Sequence, residues 1–243
     1  AKYNMLHFEE NHREENHMAN MQKYSDMRKI GHLCAHYERS VAPGHYSNAD
    51  IDQARLSEDR VNLAPVRDGG QTAYIKQQIS AVMGKRALRK DAVRMCCWVV
   101  TVPKDFPKEK EPIFFKAAYD FLVDRYGAKS GMWENCVISA YVHNSETRPH
   151  MHFAFLPVVE RKESKTFCAK EAVNRTDLKT FHRDLAEYMD AKGICLKSDI
   201  LNGKTKRDDT GRALTVKQLK RGEDDRWTRS RTNDRERGRD KWS

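Results

Sequence analysis

Apolar side chains recur along this chain with two different periods, and the places where the period changes outline the predicted elements. Residues 18–24 (MANMQKY) carry a short run that suits a strand. Between residues 44 and 65 turn formers and charges dominate and no apolar period survives, which predicts a long loop. Residues 72–92 bring Tyr74, Ile75, Ile79, Val82 and Met83 round at helical spacing, so a helix is expected there. The MCCWVVTV run of 95–102 is apolar at odd and even positions alike, as in a strand covered on both faces. A second helix is predicted over 109–126 from Phe114, Phe115, Ala118, Phe121 and Leu122, with Gly127 as its stop. Strands follow at 136–143 and 150–159, joined by the polar loop 144–149 as a hairpin with a longer turn. A last helix over 177–191 aligns Leu178, Phe181, Leu185, Tyr188 and Met189 on one stripe, and Gly193 closes it. The pattern predicts one α+β domain at 18–203, preceded by a polar extension at 1–17 and followed by a flexible tail at 204–243.

Charge changes this picture in one respect. The 243 residues carry a net charge of +10, and the stretch from Lys204 onward holds 14 Lys and Arg against 8 Asp and Glu, a surplus of +6. A basic excess of this kind favours a polyanionic partner. No apolar run approaches the roughly 18 residues of a membrane span, and the first residues show no basic flank followed by an apolar block. A cytoplasmic location without a membrane partner is therefore expected. The six cysteines form no C-x-x-C pair, and several sit in strand-like apolar runs, so neither a disulfide framework nor a cysteine zinc site is predicted.

The chemistry concentrates in VHNSETRPHMHFAF, residues 142–155. Residues two apart in a strand point the same way, so His150 and His152 share a face, and hairpin pairing can bring His143 to them. Three neutral imidazoles suit a divalent transition metal and leave positions open for substrate oxygens. Glu146 is either a fourth ligand or the carboxylate that holds the far nitrogen of a ligand histidine.

The stretch HNSETRPHMH resembles the third motif, H-x-D-E-x-T-P-H-M-H, of MobV-type plasmid mobilisation relaxases, the Mob/Pre or plasmid recombination enzyme family. MQKYSDMRKIGHLCAHYERS resembles that family's opening segment, which ends in H-N-E-R. RALRKDAV resembles its R-A-I-R-K-D-A-V segment, and DRVNLAP its short N-L motif region. The segments occur in order between about Met18 and Leu219. Two positions depart from the pattern: Ser145 stands where the family usually has Asp, and Arg148 where it has Thr. Family members also run well beyond this length, so the chain resembles their N-terminal relaxase domain with the C-terminal region cut short or absent.

The resemblance implies an HUH-endonuclease type of fold, a mainly antiparallel sheet with packed helices. It implies an enzyme that nicks one strand of a plasmid origin of transfer, single-stranded or melted, and keeps the 5′ phosphate covalently. His36 is then the nucleophile, with adjacent Tyr37 the competing choice. Arg39 supports the nucleophile or contacts phosphate. Arg86 and Arg89, three apart on the predicted helix, are candidates for stabilising transition-state charge. Asn62, Lys85, Lys90 and Arg148 are candidate DNA contacts. Manganese is favoured over magnesium, because imidazoles bind it better. A conjugative coupling protein is a further partner that the resemblance suggests. Two other readings stay open: a non-catalytic DNA-binding module with structural zinc, and an HUH replication initiator or transposase using a tyrosine, for which Tyr188 is the nearest candidate.

Overall fold

The computed structural model describes residues 19–40, 51–103, 106–162 and 164–194. The predicted extension at 1–17, part of the predicted loop before residue 51, and the basic tail from Lys204 lie outside the described residues. The elements in chain order are β1 (Ala19–Tyr24), α1 (Met27–Tyr37), a 3-10 helix (Gln53–Arg60), β2 (Val61–Asn62), α2 (Gly70–Met83), β3 (Met95–Thr101) and α3 (Glu111–Ser130). Then come β4 (Val137–His143), β5 (His150–Phe155), β6 (Val158–Arg161), β7 (Ser164–Phe167), α4 (Ala169–Ala172) and α5 (Arg175–Ala191). Five strands form an antiparallel sheet in the order β1-β3-β5-β4-β2, and β6 pairs separately with β7.

Both faces of the sheet are covered, which is why its central strands are apolar throughout. Cys96, Trp98 and Val100 of β3 and Met151, Phe153 and Phe155 of β5 pack with α3 and α5. The intervening residues Cys97, Ile138 and Ala154 pack with Ile30, Leu33, Cys34 and Tyr37 of α1 and with Tyr74 and Ile75 of α2. Side chains alternate along a strand. His150 and His152 therefore share the face of Ala154, which is the α1/α2 face. His143, paired with His150 across the hairpin, joins them.

The structure differs from the periodicity reading in five places. Helix α1 was not predicted, although Ile30, Leu33, Cys34 and Tyr37 recur at its spacing and the Asp26 side chain caps it by accepting from the Arg28 amide. The region expected to be loop up to Pro65 contains the 3-10 helix and β2. Helix α2 stops at Met83 rather than near residue 92, because Gly84 takes a backbone conformation (φ 57, ψ −123) that an L residue rarely adopts. Helix α3 runs through Gly127 and ends at Gly131 (φ 59); Gly127 is there because a Cβ would lie 2.7 Å from the Trp133 backbone. The strand expected over 150–159 breaks at Leu156–Pro157, after which β6 turns to pair with β7.

Candidate metal and nucleophile site

The sheet edge where β4 ends and β5 begins gathers four histidines. The rings of His143 and His150 lie 5.3 Å apart, those of His143 and His152 4.7 Å, and those of His150 and His152 4.8 Å. His36, in the last turn of α1, brings its ring to 5.2 Å from His143 and 5.5 Å from His152. His143 and His152 are almost fully buried and His36 half-buried.

Backbone carbonyls orient two of the rings. The His143 Nε2 donates to the Tyr37 carbonyl at 3.0 Å, which leaves its Nδ1 lone pair facing the cluster. The His150 Nδ1 donates to the Arg148 carbonyl at 2.9 Å, which leaves its Nε2 at 3.0 Å from the His152 Nε2. The buried Nδ1 atoms of His143 and His152 have no hydrogen-bond partner among the described residues. Buried polar atoms are rarely left so, and a cation answers the deficit. The ligand atoms of His36, His143 and His152, and those of His143, Glu146 and His150, lie within 4.8 Å of one another in two overlapping groups, and imidazoles with a carboxylate beside them fit a divalent transition metal.

Glu146 belongs to the near side of that set. Its Oε1 lies 3.6 Å from the His143 Nδ1 and 4.0 Å from the His150 Nε2, the lone-pair sides of both rings. The far nitrogens that a supporting carboxylate would have held are taken by backbone. Burial pushes the Glu146 carboxyl up, but His143, His150 and Arg39 outweigh it and hold it well below the usual carboxylate range.

Arg39 knits the site together. It sits just beyond α1 in the left-handed region (φ 51), uncommon for an arginine. Its Nη2 donates to Glu146 Oε1 at 2.6 Å, its Nε to Asp59 Oδ2 at 2.7 Å, and its Nη1 approaches the His36 Nδ1 at 3.4 Å. Both ion pairs are buried, and removing one partner of such a pair costs about 3–5 kcal/mol. Gln71 of α2 ties the α1 end to the sheet, donating to the Cys34 carbonyl and Glu38 and accepting from Ser139. Neither Asp59 nor Gln71 stood out in the sequence. Asp59 opens the DRVNLAP segment, but nothing in its spacing marks its role.

Tyr37 lies beneath the site. Its ring stacks on His152 at 4.5 Å, and 1% of the residue is exposed. Tyr188 is on the opposite face of the sheet, against Phe121 of α3, so α5 brings no tyrosine to the histidines.

The remaining sequence candidates stand apart. Arg86 and Arg89 do not share a helix face, since α2 ends before them. Arg86 donates to carbonyls of Val82, Met83 and Lys165, and Arg89 pairs with Asp91. Their segment leads into β3 at Met95, whereas His150 pairs with Thr101 at the other end of β3, about 20 Å away at the rise of a strand. Lys85 and Lys90 are exposed beside them. Asn62 pins β2 to β4 by accepting from the Ala140 and Ala64 amides. Arg148 bridges its loop to β3 by donating to the Val102 carbonyl at 2.6 Å.

The antiparallel sheet that carries this histidine hairpin matches the fold of solved relaxase domains. The MobM relaxase domain, solved Mn-bound and in complex with plasmid pMV158 oriT DNA, matches with a TM-score of 0.67 at 29% identity, over 84% of this chain and 97% of that one. Another Mn-bound crystal structure of that complex, at pH 5.5, matches with a TM-score of 0.65 at 28% identity over the same shares. The family model described as plasmid recombination enzyme matches residues 13–212, and the chain belongs to that family. Plasmid recombination enzymes from Streptococcus agalactiae and Staphylococcus aureus (type 1) are 31% and 32% identical over 212 and 175 residues, which is 84% and 68% of this chain. The chain spans 38% and 40% of those relatives' lengths. Among the described residues no helix is long and apolar enough to cross a membrane.

Burial lowers the pKa of His143 below 6.5 and that of His152 well below it, so the fold holds both rings neutral. In the unfolded chain they titrate at the ordinary value. As pH falls below 6.5 the unfolded state binds protons that the folded state refuses, and stability is lost. The metal-free protein is expected to show a thermal midpoint that drops as pH is lowered through this window, before the carboxylates titrate. A midpoint flat from neutral pH down to the carboxylate range would contradict the neutral assignment.

Proposed function

We propose that this chain is the catalytic domain of a DNA relaxase that nicks one strand at a plasmid origin of transfer and holds the 5′ end as a phosphohistidine. The single observation that carries this reading is the convergence of His36 on the His143, His150 and His152 cluster. A binding module with structural zinc has no use for a half-buried histidine beside three ligand imidazoles.

His36 supplies the nucleophilic imidazole. A P–N bond forms to the scissile phosphorus, the P–O3′ bond breaks, and the 3′ oxygen leaves with the electron pair and takes up a proton. The phosphoramidate retains a high transfer potential, so the strand can be rejoined. Arg39 orients the His36 ring, and its guanidinium ties His36 and Glu146 into one unit. His143, His150 and His152 would hold the metal, with Glu146 beside it. The bound metal would supply Lewis-acid polarisation of the scissile phosphate. We assign manganese, because the imidazole set favours it over magnesium and the MobM domain is solved Mn-bound. Lys85, Arg86, Arg89 and Lys90 lie too far from the histidines to serve the reacting phosphate. They suit contacts to DNA beyond the nick, where phosphate charge attracts them. Arg148, partly committed to Val102, lies beside the histidines, its carbonyl accepting from the His150 Nδ1.

Supercoiled plasmids with and without a candidate origin test the reading. Incubation with Mn2+ is expected to relax only the origin-bearing plasmid. Specific DNA binding without relaxation at any origin tried would favour the binding module.

A further inference from the structure

We propose that Asp59 is a positioning residue for this site, acting through a carboxylate–hydroxyl pair with Ser145; the inference rests on the relaxase reading above. Asp59 lies in the last turn of the 3-10 helix, outside the histidine hairpin, and is completely buried. Its Oδ1 accepts from the amides of Asn144 and Ser145 at 2.6 and 2.8 Å. Its Oδ2 accepts from the Arg39 Nε at 2.7 Å and from the Ser145 hydroxyl. Four donors saturate one carboxylate. Burial raises its pKa, but Ser145, Arg39 and the Asn144 amide together hold it below the usual range.

The consequence reaches the reacting groups by two routes. Asp59 grips one edge of the Arg39 guanidinium while Glu146 grips another, which fixes the arginine beside His36 in its left-handed conformation. It also pins the two residues that precede Glu146, and so sets where that carboxylate stands against His143 and His150. Ser145 now has a physical reason. An aspartate there would face Asp59 across a hydrogen bond, two buried carboxylates with no proton between them. Position 59 already supplies the negative charge, so position 145 supplies the hydroxyl. The pair requires one carboxylate and one hydroxyl beside Arg39, and a carboxylate at 145 facing a hydroxyl at 59 would restore that pairing from the other side.

The test is an exchange. Asp59→Ser, Ser145→Asp and the double variant are compared with the parent for nicking of an origin-bearing supercoiled plasmid, for Mn2+ affinity by calorimetry and for thermal midpoint. Each single change is expected to lower kcat by roughly 10- to 100-fold, the range for groups that support metal ligands, with a smaller effect on KM for DNA. The double variant is expected to recover most of the loss in kcat, Mn2+ affinity and midpoint. A single variant too unstable to fold, rescued by the second change, is the same result in stronger form. Losses that add in the double variant, or single variants that nick like the parent, overturn the proposal. If the parent binds Mn2+ yet nicks no plasmid, the relaxase reading fails separately. The exchange is then decided by Mn2+ affinity and midpoint, where additive losses would overturn it.

Discussion

His152→Ala is expected to reduce nicking to background and Mn2+ affinity by about 100-fold or more, while binding of origin DNA changes only a few-fold. His152 is the centre of the cluster. Its Nε2 lies 3.0 Å from the His150 Nε2, and its ring contacts His36, His143 and Tyr37. Its removal takes away one of the three imidazoles proposed to hold the metal and the surface on which Tyr37 stacks, so both metal binding and the approach of α1 are expected to suffer. The contacts to DNA phosphates proposed above lie with arginines and lysines elsewhere and are expected to survive. Calorimetry with Mn2+, a plasmid nicking assay and a mobility-shift titration measure the three quantities. A circular dichroism spectrum like the parent's ensures that loss of fold is not what is being read. Wild-type nicking in excess chelator would remove the metal from the account altogether.

His36→Ala is expected to bind Mn2+ and origin DNA but to nick at least roughly ten-thousand-fold more slowly, as losses of a nucleophile do. Tyr37→Phe is expected to keep nicking within a few-fold. The two neighbours differ in where the end of α1 directs them. Tyr37 points into the apolar layer with Ile30 and Leu33 and lies flat beneath His152, where no phosphorus can reach its oxygen. His36, one residue earlier on the helix, faces the cluster and Arg39. A histidine adduct has a chemical signature: protonation of the phosphoramidate at low pH expels the imidazole, whereas alkali leaves the bond intact.

Much of this arrangement is legible in the sequence. Alternation along HMHFAF put His150 and His152 on one face, and the hairpin register delivered His143 opposite His150. The apolar blocks of β3, α3 and α5 were visible because their periods run uninterrupted. What escaped was local or long-range in origin. Helix α1 carries a readable stripe, but it is short and polar residues crowd it. The true end of α2 depends on one glycine, and the face shared by Arg86 and Arg89 vanished with the helix. Gly127 looked like a stop and is instead a point of close approach to Trp133. Asp59 was invisible because its role is set by partners 20 and 86 residues away in the chain, Arg39 and Ser145. Such a partnership leaves no periodic trace. The Asn62 side chain accepts from the Ala64 and Ala140 amides and so serves the edge strand β2.

The covalent bond itself offers the most direct test. The parent protein is incubated with Mn2+ and an origin-bearing single strand, the product is digested at alkaline pH, and the modified peptide is located by mass spectrometry. The expected result is a 5′-phosphoryl adduct on His36 that is lost after brief acid treatment and absent from His36→Ala. An acid-stable adduct on Tyr37, with His36→Ala still nicking, would contradict the account.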